Sequence, residues 1–433
     1  MGEYFHSVRL DAEKCKGCVN CIKTCPTEAI RVRHGKAEII EERCIDCEVC
    51  IRACPNQAKY VHTDPLTMLD NYHYTIALTP PSLYGQFPES IKPAQVLAAL
   101  INIGFDDVFE TAIGAEVVAE ATKKLFQARK TGDTLVSSTC PAVIRLIQVR
   151  FPELTKLVLP FDSPAEISAQ LVKRLKSREL GIPEKEIGVF FITPCAAKMT
   201  AIKAPVGTTP SNIDGAFSVH QLYPQLHHYA KKASPDNNYQ KASGLGIGWG
   251  VSGGEQNAVG IENHLVVDGI HNVISVLEEL EMGRLSGMDF IEARACTGGC
   301  VGGLLNVQNS FVAKVRLRKL AKEFNKNKLP LVARYPELCL ADYRIPRLEV
   351  QPRPIVHLDK DIAKAMQKMT AAEKMLLTLP GLDCGACGSP TCKALAEDIA
   401  LGKARETDCI FILKERIMGL VSGHEKPKKG DGE

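Results

Sequence analysis

The sequence predicts a central α/β domain with parallel strands. A small cysteine-rich α+β module precedes it, and a small helical cysteine-rich module follows it. Three observations predict this architecture. Apolar runs alternate with amphipathic stretches between Tyr74 and Val350, the pattern of strands exchanging with helices. Two near-identical cysteine runs stand before that region, and a third cysteine group stands after it. The expected boundaries are 1–66 for the first module, 67–350 for the central domain, 351–370 for a linker, 371–425 for the last module and 426–433 for a solvated tail.

Bulk properties narrow the class. The chain has 433 residues, 45% of them hydrophobic and 24% charged, with a net charge of +3. Neither nucleic acid nor an anionic membrane is implied by that balance. No apolar run approaches the roughly 20 residues that span a bilayer. The stretch MGEYFHSVRLDAEKC carries no apolar leader, so a cytoplasmic protein is expected. Seventeen cysteines are present. In a reducing compartment such a set binds metal more often than it forms disulfides.

The first module carries CKGCVNCIKTCP, from Cys15 to Pro26, and CIDCEVCIRACP, from Cys44 to Pro55. Each run is C-x2-C-x2-C-x3-C-P, and the pair resembles bacterial two-cluster ferredoxins. Paired zinc knuckles are the competing reading, but zinc usually takes two ligand pairs across a longer loop. In the ferredoxin arrangement the fourth cysteine of each run reaches the other cluster. One [4Fe–4S] cluster is then expected on Cys15, Cys18, Cys21 and Cys54, and a second on Cys44, Cys47, Cys50 and Cys25. The runs IRVR and AEII suit a hairpin with HGK at its turn.

The last module reads LPGLDCGACGSPTCKALAEDIALGKARETDC, with Cys384, Cys387, Cys392 and Cys409 as candidate ligands. Gly385 and Gly388 allow a tight fold around a cluster, and CKALAEDIALG reads as a helix. The spacing resembles a small [4Fe–4S] domain of electron-transfer subunits and corrinoid iron–sulfur proteins. Tetrahedral zinc is the alternative.

In the central domain YTIALTP, DTLVSSTC and IGVFFITPC read as buried strands. AEVVAEATKKLFQARK, PAVIRLIQVRF and PAEISAQLVKRLKSRE read as helices. In such folds sites form at the carboxyl ends of strands. Cys140 and Cys195 each fall between a strand and a helix, and Cys296 and Cys300 lie in the glycine-rich EARACTGGCVGG. Any one of these alone reads as a buried structural cysteine, as Cys339 does. Four on Gly/Pro-rich turns point to a cluster site. His220 reads as an ordinary core or surface histidine. Trp249 reads as core packing or as a neighbour of the cluster.

Three stretches resemble the signatures of the [FeFe]-hydrogenases, approximately TSCCP, MPC-x-x-K-x-x-E and E-x-M-x-C-x-x-x-C-x-x-G-G. They are SSTCP at 137–141, TPCAAK at 193–198 and EARACTGGCVGG at 292–303. The segment GIGWGVSGGEQNAV resembles the Gly-Gly stretch before the third signature. The resemblance implies an H-cluster, a [4Fe–4S] cubane joined to a diiron unit with CO, CN⁻ and azadithiolate ligands. It implies that Cys140, Cys195, Cys296 and Cys300 hold the cubane, with Cys300 as the bridge. It matches Lys198 to a donor to cyanide, Ser138 and Pro194 to the lining of the diiron pocket, and Glu292 to the first signature position. With the other modules, four [4Fe–4S] clusters are expected in all.

The departures from those signatures predict slow turnover. Thr139 stands where fast members have a proton-relaying cysteine. A thiol with a pKa of about 8.5 exchanges protons near neutrality, and an alcohol does so far less readily. Relays of this kind contribute roughly 10²–10⁴-fold. Thr193 and Arg294 replace methionines, and Ala201 replaces a glutamate. Arg294, if it points inward, should raise the potential of the cluster. Glu120 is a weak candidate for the proton path, and the other acids on its helix are expected on a solvated face. These changes resemble the sensory branch of the family, which has a C-terminal cluster domain. The expectation is a slow hydrogenase acting as an H₂ or redox sensor. The alternative is a hydrogenase-like iron–sulfur assembly scaffold without the diiron unit. Expected partners are H₂ and protons, a redox partner such as a ferredoxin, maturation proteins, a signalling protein and a second copy of the chain.

Overall fold

The computed structural model describes residues 5–129, 132–207, 210–235, 238–325, 331, 348–353 and 361–422. Cys339 and the 426–433 tail lie outside the described residues. The strands, in chain order, are β1 (Val8–Leu10), β2 (Ile30–Arg33), β3 (Lys36–Ile39), β4 (Lys59–Val61), β5 (Tyr74–Thr79), β6 (Asp107–Glu110), β7 (Leu135–Val136), β8 (Ile187–Thr193), β9 (Gly215–Ser218), β10 (His264–Asp268) and β11 (Phe290–Arg294).

The chain divides into two compact units. One comprises Met1–Arg9, Ile45–Glu48 and Val61–Arg353; the other comprises Leu10–Cys44, Val49–Tyr60 and Pro354–Glu433. The first holds two parallel sheets, a four-stranded one in the order β6-β5-β8-β9 and a three-stranded one in the order β10-β11-β7. Buried parallel strands read as nearly continuous apolar runs because both faces are covered. In β5 and β8 the two faces still separate with period two. Ile76, Leu78, Val189 and Phe191 pack with Ala165, Ala169 and Val172 of the helix Pro164–Leu180. Ala77, Phe190 and Ile192 face the larger core with Phe217, Leu97 and Val118.

The expected strand at 133–140 is shorter than its apolar run suggests. Pairing as a strand ends at Val136, and Ser137 N–H adds one further bond to the Ile291 carbonyl. Ser137 Oγ then accepts the Thr139 N–H at 3.2 Å, turning the chain before Cys140. Local side-chain bonds of this kind compete with the ladder.

The second unit contains the hairpin β2–β3, antiparallel and turning through His34 and Gly35 as expected. It also contains the helices Ile362–Thr378, Cys392–Ala400 and Ile410–Ser422. The first of these begins inside the stretch expected as linker. Asp361 caps it, accepting the Ala363 and Lys364 N–H groups, the role of an acidic N-cap.

The fold is therefore an N-terminal ferredoxin-like module, a parallel-sheet α/β core and a small C-terminal helical iron–sulfur module.

Candidate functional site

Cys140 caps the helix Pro141–Arg150 just beyond β7, and Cys195 caps the helix Ala196–Lys203 just beyond β8. Cys296 and Cys300 follow β11, which pairs directly with β7. The strand ends thus bring together loops that lie far apart in sequence. Gly303 shows how close they come. A Cβ there would stand 2.3 Å from the Pro194 carbonyl oxygen and 3.2 Å from Cys195 Cβ. Leu305 N–H also donates to that carbonyl at 3.0 Å. Burial pushes the Cys195 thiol well up, and the charges of Glu48 and Cys300 add to this while Lys198 opposes it. The Cys300 and Cys140 sulfurs both act on Arg294. The Cys140, Cys195 and Cys300 sulfurs therefore share one electrostatic neighbourhood, with Cys296 four residues before Cys300 on the same glycine-rich loop.

Beside Cys300 lies a cavity walled by Thr139, Lys198, Phe191, Trp249, Pro81 and Thr111. Lys198 is half-buried, with Nζ 5.8 Å from the centre of the Phe191 ring. Trp249 Nε1 is buried and has no hydrogen-bond partner among the described residues. A cation and an unpaired indole N–H among the residues that wall this space fit a ligand rich in acceptors.

Arg294 points inward, and two carboxylates meet it. Its Nη2 donates to Glu255 Oε2 at 2.8 Å and its Nε to Glu292 Oε1 at 3.3 Å. Glu292 also accepts the N–H groups of Gly253 and Gln256, at 3.0 and 2.8 Å. Ser137 Oγ lies 2.8 and 2.7 Å from the two Glu255 oxygens. Arg294, Glu255 and Glu292 are all buried. Burial is the main force pushing the Glu255 carboxyl up to about 7; Arg294 opposes the shift, Glu292 adds to it, and the Ser137 and Thr139 hydroxyls favour the ionised form. The cation expected to raise the cluster potential thus comes with counter-charges. Glu255 is the residue that sequence reasoning passed over. Its signal was the acid at the end of VSGGE, opening the helix Gly254–Val259.

The remaining expected residues fall in several places. Thr193 Oγ1 donates to the Cys195 carbonyl at 2.8 Å and accepts its N–H at 3.3 Å, bracing that loop. Ser138 Oγ donates to the Phe161 carbonyl at 2.6 Å. Ser138 lines a second cavity with Ala201, Asp162 and Glu166. Asp162 there is pushed up to about 6 by burial and by Glu166. Glu120 is exposed and pairs with Lys123. Its helix neighbour Glu116 is not on a solvated face. It is buried, and it accepts the Ser243 N–H at 2.9 Å. A polar group with such a partner can be enclosed at little cost. His220 is exposed.

In the second unit, backbone N–H groups aim at cysteine sulfurs. Ala37 N–H meets Cys15, Ala29 N–H meets Cys25 and Ala58 N–H meets Cys54, at 3.4, 3.2 and 3.3 Å. Burial opposes ionisation of Cys15, but the N–H groups of Gly17 and Ala37 with Lys59 and Lys36 outweigh it and lower its pKa. Cys18 and Cys21 flank the start of the helix Asn20–Thr24, Cys44 follows the turn Glu41–Arg43, and Cys50 sits in the helix Val49–Arg52. Cys47 follows Asp46 in the first unit. Cys387, Cys392 and Cys409 pack with a small apolar core of Leu379, Leu395 and Ala396, and Cys384 is exposed beside Cys387. Gly388, at φ +80°, lets the Cys387 loop lie on β2. A Cβ there would be 2.0 Å from the Val32 carbonyl oxygen. These donor sets fit thiolate-held clusters.

The fold and these sites define an iron–sulfur protein with an α/β core. Residues 73–264 and 255–303 match the family described as "Iron only hydrogenase large subunit, C-terminal domain". The chain belongs to that family. Residues 7–55 match a 4Fe-4S dicluster domain, and residues 379–411 match a family described as an Fe-S cluster. The chain is 26% identical over 365 residues to the periplasmic [Fe] hydrogenase large subunit of Nitratidesulfovibrio vulgaris, covering 69% of this chain and 86% of that one. It is 23% identical over 342 residues to the NADP-reducing hydrogenase subunit HndD of Solidesulfovibrio fructosivorans, covering 67% of this chain and 55% of that subunit. The chain therefore spans little more than half the length of the HndD subunit. A solved variant of the [FeFe]-hydrogenase HydA1 from Chlamydomonas reinhardtii shares the fold, with a TM-score of 0.53 and 16% identity over 67% of this chain and 97% of that one. Among the described residues no helix is long and apolar enough to cross a membrane.

Proposed function

We propose that this chain is an iron–iron hydrogenase of low turnover that senses H₂ or redox state. The observation that carries the reading is the cavity beside Cys300, walled by Lys198 and Thr139 and placed at the strand ends that bear the four cysteines. Cys140, Cys195, Cys296 and Cys300 would hold the cubane, Cys300 would also bridge to the diiron unit, and Lys198 would donate to a cyanide ligand. When bound, that group supplies reversible H₂ cleavage to protons and electrons. The cysteines of the flanking modules would hold three further [4Fe–4S] clusters that carry the electrons.

The chain's own residues do the rest. Phe191, Trp249 and Pro81 wall the cavity with apolar surface. Thr139 Oγ1 holds a proton at the cavity wall, and Glu255, on which that hydroxyl acts, is its titratable partner. Threonine gives up that proton with difficulty, so passage is slow. A slow converter suits a sensor better than a bulk catalyst.

The test is Thr139→Cys, with H₂ evolution measured per fully loaded cluster. The reading expects turnover to rise by roughly 10²–10⁴-fold, the usual contribution of a positioned acid–base group. Equal turnover in the two proteins would contradict it. Absence of activity in both, with cubanes intact, would favour the assembly-scaffold alternative.

A further inference from the structure

Ser138 and Thr139 are neighbours in sequence, yet they line different cavities. Two other segments divide in the same way. On the helix Ala196–Lys203, Lys198 walls the cavity beside Cys300, and Ala201, one turn on, walls the second cavity. At the start of the helix Pro164–Leu180, Pro164 and Ala165 line the first cavity, and Ser163 and Glu166 line the second. The two spaces are therefore neighbours, parted by these three segments.

The second cavity has a volume of about 50 Å³, enough for at least one water molecule. Its polar walls are Ser138, Ser163, Ser211 and the carboxyls of Asp162 and Glu166, and its described lining holds no lysine, arginine or histidine. Glu166 is engaged in structure. Its Oε1 accepts the Ser211 hydroxyl at 2.5 Å and its Oε2 accepts the Asn212 N–H at 2.8 Å. Lys173 also acts on it, and Lys173 itself pairs with Asp214 at 2.8 Å. Asp162 is 8% exposed, and the charge that acts on it is that of Glu166. A buried acid beside another acid keeps its proton to higher pH than in water, here to about 6. The Ser138 bond to the Phe161 carbonyl clasps the Asp162 segment to the turn that carries Thr139. The signature glutamate is absent at Ala201, and Asp162 brings a carboxyl to the space that Ala201 borders. Pro210, on the wall of the same space, is exposed to solvent.

We propose that Asp162 supplies protons to the reactive cavity: its carboxyl releases a proton through the second cavity toward the Ser138–Thr139 turn and regains one from solvent at the Pro210 rim. It acts through Thr139, not on the reacting atoms, and is a second supply besides Glu255. No electron moves in this step; one proton leaves Asp162 and one replaces it. The inference rests on the hydrogenase reading, in which the cavity beside Cys300 takes up or gives out protons.

The experiment uses the full chain. In protein produced without maturation proteins, infrared difference spectra between pH 5 and pH 7 should contain the carbonyl stretch of protonated carboxylic acids, with one component lost in Asp162→Asn. In matured protein, H₂ evolution is measured per loaded cluster at pH 5 and pH 8. Asp162→Asn should lower the rate at pH 5 by roughly 10²-fold, the lower end for a positioned acid–base group. It should change the rate little at pH 8, where the wild-type carboxyl has already lost its proton. Asp162→Glu should restore the pH 5 rate. A loss of equal size at both pH values would mark a structural role and overturn the inference, as would full activity of Asp162→Asn at pH 5 or an unchanged infrared band. No H₂ evolution from the wild type would sink the hydrogenase reading, and the inference with it.

Discussion

Glu255 shows what single residues decide here. Burial holds its pKa at about 7, above the ordinary 4.5, so between those pH values the folded protein binds a proton that the unfolded chain has released. Stability from this group is therefore present below about pH 4.5 and is lost as pH rises through 7. Glu255→Gln should flatten that fall, which is on the order of a few kcal/mol at full burial. Chemical denaturation between pH 5 and 8 reads it directly, and an unchanged slope would show that Glu255 is ionised throughout. The cysteines and Lys198 were legible in sequence because each sits in a short motif. Glu255 was not, because its role arises from Ser137 and Arg294, which are 118 and 39 positions away. The inward aim of Arg294 was anticipated as a condition, but its neutralisation by Glu255 and Glu292 was not. A pairing between a strand residue and a distant helix, such as Arg294 with Glu255, leaves no local trace.

Among elements, the strands β5 and β8 and the helices Pro141–Arg150 and Pro164–Leu180 were readable from apolar runs and amphipathic stretches. β7 was over-read, because the Ser137 hydroxyl, accepting the Thr139 N–H, redirects a backbone that its apolar content would extend. Glu116 was misplaced because a carboxylate on a helix ordinarily faces water. The C-terminal module depends on a polar contact with no sequence signature. Asp398, on the helix Cys392–Ala400, accepts from Arg31 Nε at 2.6 Å, from Arg33 Nη2 at 2.7 Å and from Ser389 Oγ at 2.9 Å. Arg33 also donates to the Cys387 carbonyl at 3.1 Å. Removing one partner leaves buried charge uncompensated, which costs about 3–5 kcal/mol. Asp398→Ala should destabilise this unit by that order and loosen the Cys387 loop, seen as loss of iron on dilution. Retention of both stability and iron would place the support elsewhere.

For the whole molecule, the architecture follows from three cysteine patterns and one alternation of strands with helices. Family membership fixes the α/β core, and the departures within it carry the functional reading. In the proposed reading Thr139 at the relay position would slow protons, and the buried Arg294, met by Glu255 and Glu292, would replace methionine packing near the sulfurs. The central claim is that this altered setting still holds a working diiron site. An infrared spectrum of the anaerobically matured protein, recorded under H₂ and then under argon, tests it most directly. CO and CN⁻ bands that shift between the two gases are the predicted result. A spectrum without such bands, from protein with its full cubane content and competent maturation, would contradict the account.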